Sequence, residues 1–175
     1  MTFLVGHRVL VLGDTTAKGG LARFFSSLGA DVVSVIIEDL KEKLSEASFL
    51  IEELGMSWLA EQGWPRRRIE QKAPKLIHVS VTVFGSEGPH SQWEGSELIA
   101  SAMSGVLRLT GTPDRAPVKE ALDACGFHAD MVAAAGALAA HYERGQSGLG
   151  QHVDVSSQEV ALSRQLNSVL VWQFE

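Results

Sequence analysis

Two side chains that could support acid–base or nucleophilic chemistry stand where a long irregular segment gives way to a helical run. The segment TGTPDRAPVKEALDAC contains two prolines and many polar residues, and the Ala-rich run that follows from about Phe127 has the composition of a closely packed helix. His128 and Asp130 lie at its start. Free backbone N–H groups and the helix dipole favour negative charge there, so we expect the pKa of the Asp130 carboxyl to be lowered.

A second candidate for binding chemistry is the glycine-rich stretch GDTTAKGG, which follows the apolar run RVLVL. A loop of this kind ahead of a helix offers backbone N–H groups to a phosphate. Its spacing differs from the dinucleotide and P-loop patterns, because five residues separate Gly13 from Gly19 and Lys18 precedes the glycine pair. Nucleotide binding is therefore only an alternative here. The six histidines show no zinc-ligand spacing, so no metal site is predicted.

Charge and composition exclude several classes of partner. The net charge is −6, with 15 basic and 21 acidic side chains, which argues against nucleic acid or an anionic membrane as a partner. No apolar run reaches the roughly 18 residues of a membrane span. The single cysteine, Cys125, excludes an internal disulfide and is typical of a reducing compartment. We expect a cytoplasmic protein.

The remaining sequence predicts the elements that position these residues. Short apolar strands alternate with helical segments, which indicates an α/β fold with an open, mostly parallel, Rossmann-like sheet flanked by helices. Residues 1–175 are expected to form a single α/β domain. Ligands of such sheets bind at the carboxyl ends of the strands, so we expect binding at the loops 13–19 and 83–96. The predicted strands are RVLVL, DVVSVII, KLIHVSV and QHVDV, and FLI is a further short apolar run.

Several blocks of the chain together resemble one family. The blocks LVGHRVLVLG, LARFFSSLGADVVSV, PKLIHVSVTVFGSEGP, ELIASAMSGVLRLTG and GALAAHYERGQSGLGQHVDVSSQEVAL are similar, in order and spacing, to the N-terminal half of the family III CoA-transferases. This group is named after carnitine and bile-acid CoA-transferases and also includes α-methylacyl-CoA racemases. The last block is the most specific, because it joins a helix ending in E-R-x-x-x-x-G-x-G-Q to a D-V-S turn.

The resemblance implies exchange of CoA between acyl thioesters and carboxylic acids through a covalent aspartyl intermediate. Counting back from the G-x-G-Q turn brings Gly126 to the position of the family's aspartate. Asp123 and Asp130 are the neighbouring carboxylates that could act instead. A racemase reaction would need an acid–base pair, for which His90 and Asp130 are the candidates.

The resemblance also implies where acyl-CoA would bind, and here the motifs are degenerate. Ala17, Lys18 and Gly19 stand where typical members have A-G-P, and the loop at Phe84 and Gly85 would lie against CoA. The family's E-N-F-R-P-G segment is replaced by E-E-L-G-M at residues 52–56. Acyl-CoA and a carboxylic acid are therefore the expected substrates.

The resemblance covers only the N-terminal half of the family's chain, so two hypotheses follow for the function of this chain. In the first, the chain is a subunit or portion of an acyl-CoA transferase. In the second, it is a non-catalytic subunit that stabilises a catalytic partner. The apolar residues of the segment 169–174 suggest an interface, and we expect a homo- or hetero-oligomer formed through this C-terminal apolar helix.

Overall fold

The fold is built on one parallel sheet. The computed structural model describes residues 3–13 and 19–165. Five strands follow the order β2-β1-β3-β4-β5, and every neighbouring pair is parallel. The strands are short and apolar because helices cover both faces of the sheet. The expected open, parallel α/β fold is confirmed. The strands are β1 (Arg8–Leu12), β2 (Asp31–Val35), β3 (Phe49–Glu52), β4 (Ile77–Thr82) and β5 (His152–Ser156).

Helices pack on the two faces of this sheet and form two apolar cores. One face packs against α1 and α7, and the opposite face packs against α2, α3 and α4. Two 3₁₀ turns, Ile37–Asp39 and Leu44–Glu46, flank α2. In the described residues the helices are α1 (Gly20–Ser27), α2 (Leu40–Lys43), α3 (Met56–Glu61), α4 (Arg66–Lys72), α5 (Glu97–Met103), α6 (Val106–Leu109), α7 (Ala124–Ser147) and α8 (Ser157–Ser163). None of them has both the length and the apolar character needed to cross a bilayer.

The long helix α7 lies against the sheet through small side chains. Its buried residues include Ala129, Ala133 and Ala137, which share one side of the helix. A methyl group at Gly136 would lie 2.8 Å from a Val153 methyl, so a larger residue here would force the Val153 side chain or the helix to shift.

The start of α7 differs from the sequence expectation. The helix begins at Ala124, whereas we expected it near Phe127, because the Asp123 side chain caps it by accepting the Gly126 N–H at 3.2 Å. Asp130 consequently lies in the second turn of the helix and not at its end. The lowered pKa expected from the helix N-terminus therefore has no basis at Asp130.

Candidate active site

A cavity of about 500 Å³ opens at the carboxyl ends of the strands, as expected for a parallel α/β sheet. The start of α7 forms one wall, and the residues after β3 and β4 form others. Among the described residues, four carboxylic side chains face it, which is an unusual concentration of like charge. Its lining residues are Gly19, Gly20, Glu53, Val81, Thr82, Val83, Gly95, Glu97, Ala100, Asp123, Gly126, Asp130 and Ser157.

The Asp123 carboxyl lies beside Gly126, the residue that the resemblance aligns with the family's nucleophile. A side chain added at Gly126 would begin 2.6 Å from Asp123 Oδ2 and 2.7 Å from Oδ1. The Asp123 carboxyl therefore fills the space in which a residue 126 side chain would start. Asp123 precedes Gly126 by three residues, yet its carboxyl lies next to Gly126 in space. The reason is that Asp123 caps the helix, which turns its carboxyl back over the first turn.

Glu97 is the partner of this carboxyl, and the sequence did not identify it as a site residue. It is the first residue of α5, and its two carboxyl oxygens accept the N–H groups of Cys125 at 3.0 Å and Gly126 at 3.4 Å. Burial raises the pKa of Glu97, and the hydrogen bond with Asp123 raises it further. The raised pKa favours the protonated form of Glu97. The only sequence signal was Ser96, whose side chain caps α5.

Asp130 lines the same cavity and contacts the start of α1. Its Oδ2 accepts the Leu21 N–H at 3.1 Å, and a methyl group at Gly20 would lie 2.5 Å from the same oxygen. Burial raises the pKa of Asp130 despite this hydrogen bond, and the nearby Asp123 charge adds to the effect. The expectation of a lowered pKa was wrong, because burial outweighs the single backbone donor that reaches this carboxyl.

Glu53 stands on the boundary between this cavity and a second one. It is the first residue after β3, and its side chain lines both cavities. Partial burial, followed by the charges of Asp130, Asp123 and Glu52, raises the pKa of Glu53 to about 7. A carboxyl with this pKa exchanges its proton near neutral pH, as groups that act in acid–base chemistry do.

The second cavity, of about 650 Å³, contains the loop that was expected to contact CoA. Phe84 and Gly85 line it, and Gly85 has the left-handed φ of +78°. The adjacent Ser86 is fixed by two bonds to Asp154, from its N–H at 2.9 Å and its hydroxyl at 3.0 Å. Trp93 packs edge-on against Phe84 with 6.1 Å between the ring centroids. The loop therefore presents aromatic surface at a fixed position.

The structure brings together most of the residues that the sequence indicated. Asp123, Asp130 and Gly19 line the first cavity, and Phe84 and Gly85 line the second. The two cavities share four residues, Glu53, Thr82, Val83 and Gly95, and so form one continuous surface. Ala17 and Lys18, together with the apolar segment 169–174, lie outside the described residues.

Other candidates are placed away from the cavity. His90 packs on Trp93 with 4.1 Å between the ring centroids, and among the described residues it lines neither cavity, which gives no support to a pair with Asp130. Burial, followed by Glu97, raises the pKa of the Cys125 thiol to about 11, so this thiol stays protonated. No group of three or more potential metal ligands occurs within the part of the chain that the structure describes.

The fold and the carboxylate-lined cavity define an open α/β protein with a binding site at its strand ends. The family described as CoA-transferase family III matches residues 38–174, and the chain belongs to this family. A CaiB/BaiF family protein from Brucella suis superimposes with a TM-score of 0.91 at 21% identity, over 99% of this chain and 58% of that one. A protein from Mycobacterium tuberculosis superimposes with a TM-score of 0.88 at 20% identity, over 99% of this chain and 59% of the other.

Curated relatives are CoA-transferases by name. Succinate–glutarate CoA-transferase of Agrobacterium fabrum is 32% identical over 114 residues, which is 65% of this chain and 28% of the relative. Formyl-CoA:oxalate CoA-transferase of Streptomyces avermitilis is 30% identical over 126 residues, 72% of this chain and 31% of the relative. Succinyl-CoA:glutarate CoA-transferase of Mus musculus is 30% identical over 139 residues, 78% of this chain and 32% of the relative. The matched region thus spans about a third or less of these relatives.

Proposed function

We propose that this chain contributes to CoA transfer between an acyl-CoA thioester and a carboxylic acid, with Asp123 as the nucleophile. The observation that carries the proposal is the overlap between the Asp123 carboxyl and the space of a side chain at Gly126, 2.6 Å apart. Family membership supplies the reaction class. The cavity supplies the room, because its two parts extend from Asp123 to the aromatic loop at Phe84.

The proposed reaction proceeds through covalent exchange at Asp123. The carboxylate attacks the thioester carbonyl and forms a mixed anhydride, while the C–S bond breaks and CoA leaves as thiolate. The thiolate then attacks the Asp123 carbonyl, which forms an aspartyl-CoA thioester and releases the donor acid as its carboxylate. The acceptor carboxylate reverses both steps with a new acyl group, so that a new acyl-CoA leaves and Asp123 is restored.

Glu97 supports the first step in this proposal. Burial and the hydrogen bond with Asp123 raise the pKa of Glu97, so in this proposal Glu97 donates that hydrogen bond to the Asp123 carboxylate. The N–H groups of Cys125 and Gly126 bond to Glu97, which fixes its carboxyl relative to the first turn of α7. Asp130 remains the second candidate for the nucleophile, although one of its oxygens is engaged by the Leu21 N–H.

Trapping the covalent intermediate tests the proposal. The full-length protein is incubated with succinyl-CoA, digested and analysed by mass spectrometry, and we expect a CoA adduct on the peptide that contains Asp123. Asp123→Asn should abolish the adduct and Asp130→Asn should retain it. Asp39→Asn removes an exposed carboxylate that pairs with Lys43, and it serves as the control. An adduct that persists in Asp123→Asn but disappears in Asp130→Asn would assign the nucleophile to Asp130.

The alternative is a non-catalytic subunit, and one observation favours it. The four carboxyls around the cavity, one of which is Glu53 in place of the family's asparagine, create a negative potential that repels the phosphates of CoA. Under this alternative the chain would bind no CoA by itself and would stabilise a catalytic partner. Calorimetric titration with CoA and acetyl-CoA, for the chain alone and for its complex with any co-purifying chain, separates the two. Binding only in the complex supports the alternative.

A further inference from the structure

A connected row of polar side chains crosses the interior of the sheet on the face that carries Leu50. Glu52 Oε1 lies 3.4 Å from His78 Nε2, and the Ser80 hydroxyl lies 3.5 Å from the same nitrogen and 2.9 Å from His152 Nε2. Glu52 and Ser80 are completely buried, and His78 is nearly so. Acidic side chains are rarely buried to this extent, so the position of Glu52 requires an explanation.

Glu52 connects this row to the cavity. Its second oxygen, Oε2, accepts the N–H groups of Leu54 and Gly55, each at 2.7 Å. These two residues form the turn from β3 into α3, where Gly55 has the left-handed φ of +84°. In the sequence, Glu53 stands between Glu52 and the residues whose N–H groups Glu52 accepts. The Glu53 side chain lines both cavities. The buried carboxylate therefore fixes the turn that presents Glu53.

The row keeps Glu52 ionised inside the protein. Burial alone would raise the pKa of Glu52, but the contact with His78, the Ser80 hydroxyl and the Gly55 N–H together lower it. Burial, followed by the neighbouring His78, lowers the pKa of His152 to about 4, so His152 is neutral near pH 7 (about 3 units above this value). A buried carboxylate commonly contributes less to stability than an apolar residue of similar size, which suggests a role other than stability for Glu52.

We propose that Glu52 is a positioning residue that holds Glu53 against the acyl-CoA cavity, with His78, Ser80 and His152 fixing the Glu52 carboxylate in turn. The inference rests on the proposed function, because Glu53 meets a substrate only if this cavity binds one. Glu52 itself touches no part of the cavity. It acts through two backbone N–H groups and the shape of one turn.

Two substitutions separate positioning from charge. Glu52→Leu suits the apolar face and removes both the charge and the acceptor, while Glu52→Gln removes the charge but keeps an oxygen that can accept the Leu54 and Gly55 N–H groups. Glu70→Gln, which removes an exposed carboxylate of an Arg66 pair, is the control. We expect acetyl-CoA binding by the full-length protein to weaken about tenfold in the Leu variant and to change less than about threefold in the other two.

The ionisation of Glu53 is a second measurement that does not depend on catalysis. Carboxyl ¹³C NMR should give a Glu53 pKa of about 7 in the wild type. The groups that face it are Asp130, Asp123 and Glu52, so both substitutions remove one repelling charge equally. We expect the Leu variant to approach the ordinary value of 4.5 and the Gln variant to stay clearly above it. Equal Glu53 titrations in the two variants would overturn the proposal.

The remaining outcomes are also decisive. If the wild-type protein binds no acetyl-CoA, the proposed function fails, and the Glu53 titration still decides whether Glu52 holds the turn. If Glu52→Leu does not fold, amide exchange in the wild type decides instead. Protected Leu54 and Gly55 amides support the proposal, and exchange at the rates of an unstructured chain refutes it. A Leu variant as stable as the wild type but defective in binding excludes a purely structural role.

Discussion

The two ends of helix α7 carry opposite charge and opposite chemistry. At its start, on the carboxyl side of the sheet, Glu53, Glu97 and Asp130 have raised pKa values because burial and mutual repulsion oppose their ionisation. At its other end, burial and then the Arg144 charge lower the pKa values of His7 and His141. In both clusters, burial disfavours the charged form of the titratable side chains. The clusters differ in how many of their polar atoms are hydrogen-bonded.

The second cluster consists of His7, His141 and Arg144, and we call it the amino-side cluster because it lies at the amino ends of the strands. Its polar groups are held in structural hydrogen bonds. Arg144 donates to the carbonyl oxygens of Ser48 and Lys75, each at 2.9 Å, and His7 contacts the Ser48 hydroxyl at 2.9 Å. The His7 and His141 rings pack edge to face, 4.8 Å apart. At the carboxyl side the acidic side chains face a cavity instead. Acidic side chains that share a cavity and have raised pKa values are typical of a functional site, whereas groups held in hydrogen bonds to the backbone of other elements indicate structure.

The strongest test of the difference between the two ends of α7 is a substitution at Gly126. In Gly126→Ala the new methyl group would lie 2.6 Å from Asp123 Oδ2 and would displace the carboxylate. We expect CoA transfer by the full-length protein to fall about 100-fold with little change in stability. Gly145→Ala is the matched control in the same helix, because nothing lies within 4 Å of its added methyl group. It should keep full activity and gain about 0.5–1 kcal/mol in stability. Equal activities of the two variants would contradict the role of Asp123.

The amino-side cluster should show the opposite behaviour. Arg144→Met keeps the aliphatic stem but leaves the Ser48 and Lys75 carbonyls without their donor. We expect the free energy of unfolding in urea to drop by about 2 kcal/mol, while transfer activity under native conditions stays unchanged. A loss of activity without a loss of stability would show that this end of α7 is also functional.

A third prediction concerns the pH dependence of stability at the carboxyl side. The Glu53 pKa is about 7 in the folded protein and 4.5 ordinarily, so the folded state holds a proton that the unfolded chain has released between these values. Stability should therefore fall as pH rises through this window. Glu53→Gln should remove that slope and be more stable than the wild type at pH 8 (about 1 unit above the folded pKa). If the free energies of unfolding of the wild type and of Glu53→Gln changed in parallel from acid to alkaline pH, the raised pKa of Glu53 would be contradicted.

The smallest effect is expected from the histidines. Because the folded pKa of His141 lies below its ordinary value of 6.5, the unfolded chain binds protons first as the solution is acidified. Its contribution is complete above pH 6.5 and is lost as the pH falls below that value. His141→Phe should weaken this acid-side loss, with thermal unfolding between pH 5 and 7 as the measurement (about the range in which histidine titrates). If the variant lost stability with falling pH as steeply as the wild type, the acid sensitivity would arise from groups other than His141.

Much of the architecture was contained in local sequence patterns. The apolar runs around Val9 and Val79, separated by helical segments, predicted a parallel α/β sheet, and the sheet is parallel throughout. The start of α8 is likewise set by a local cap, because the Ser156 hydroxyl accepts the Glu159 N–H at 3.3 Å. The G-x-G-Q turn indicated the family, and the family match confirms it. Such signals are readable because strand alternation, helix caps and glycine turns are set by residues a few positions apart.

The site was decided by tertiary structure. Sequence counting placed Gly126 at the nucleophile position, and only the fold shows that the Asp123 carboxyl fills that space. Glu97 meets Gly126 across 29 residues, and Asp130 meets Leu21 across 109. No periodicity relates such distant positions. The sequence determined the elements and their order, while the packing of α7 on the sheet determined which carboxyls share one cavity. Their pKa values follow from that proximity, because burial and repulsion depend on distances in space.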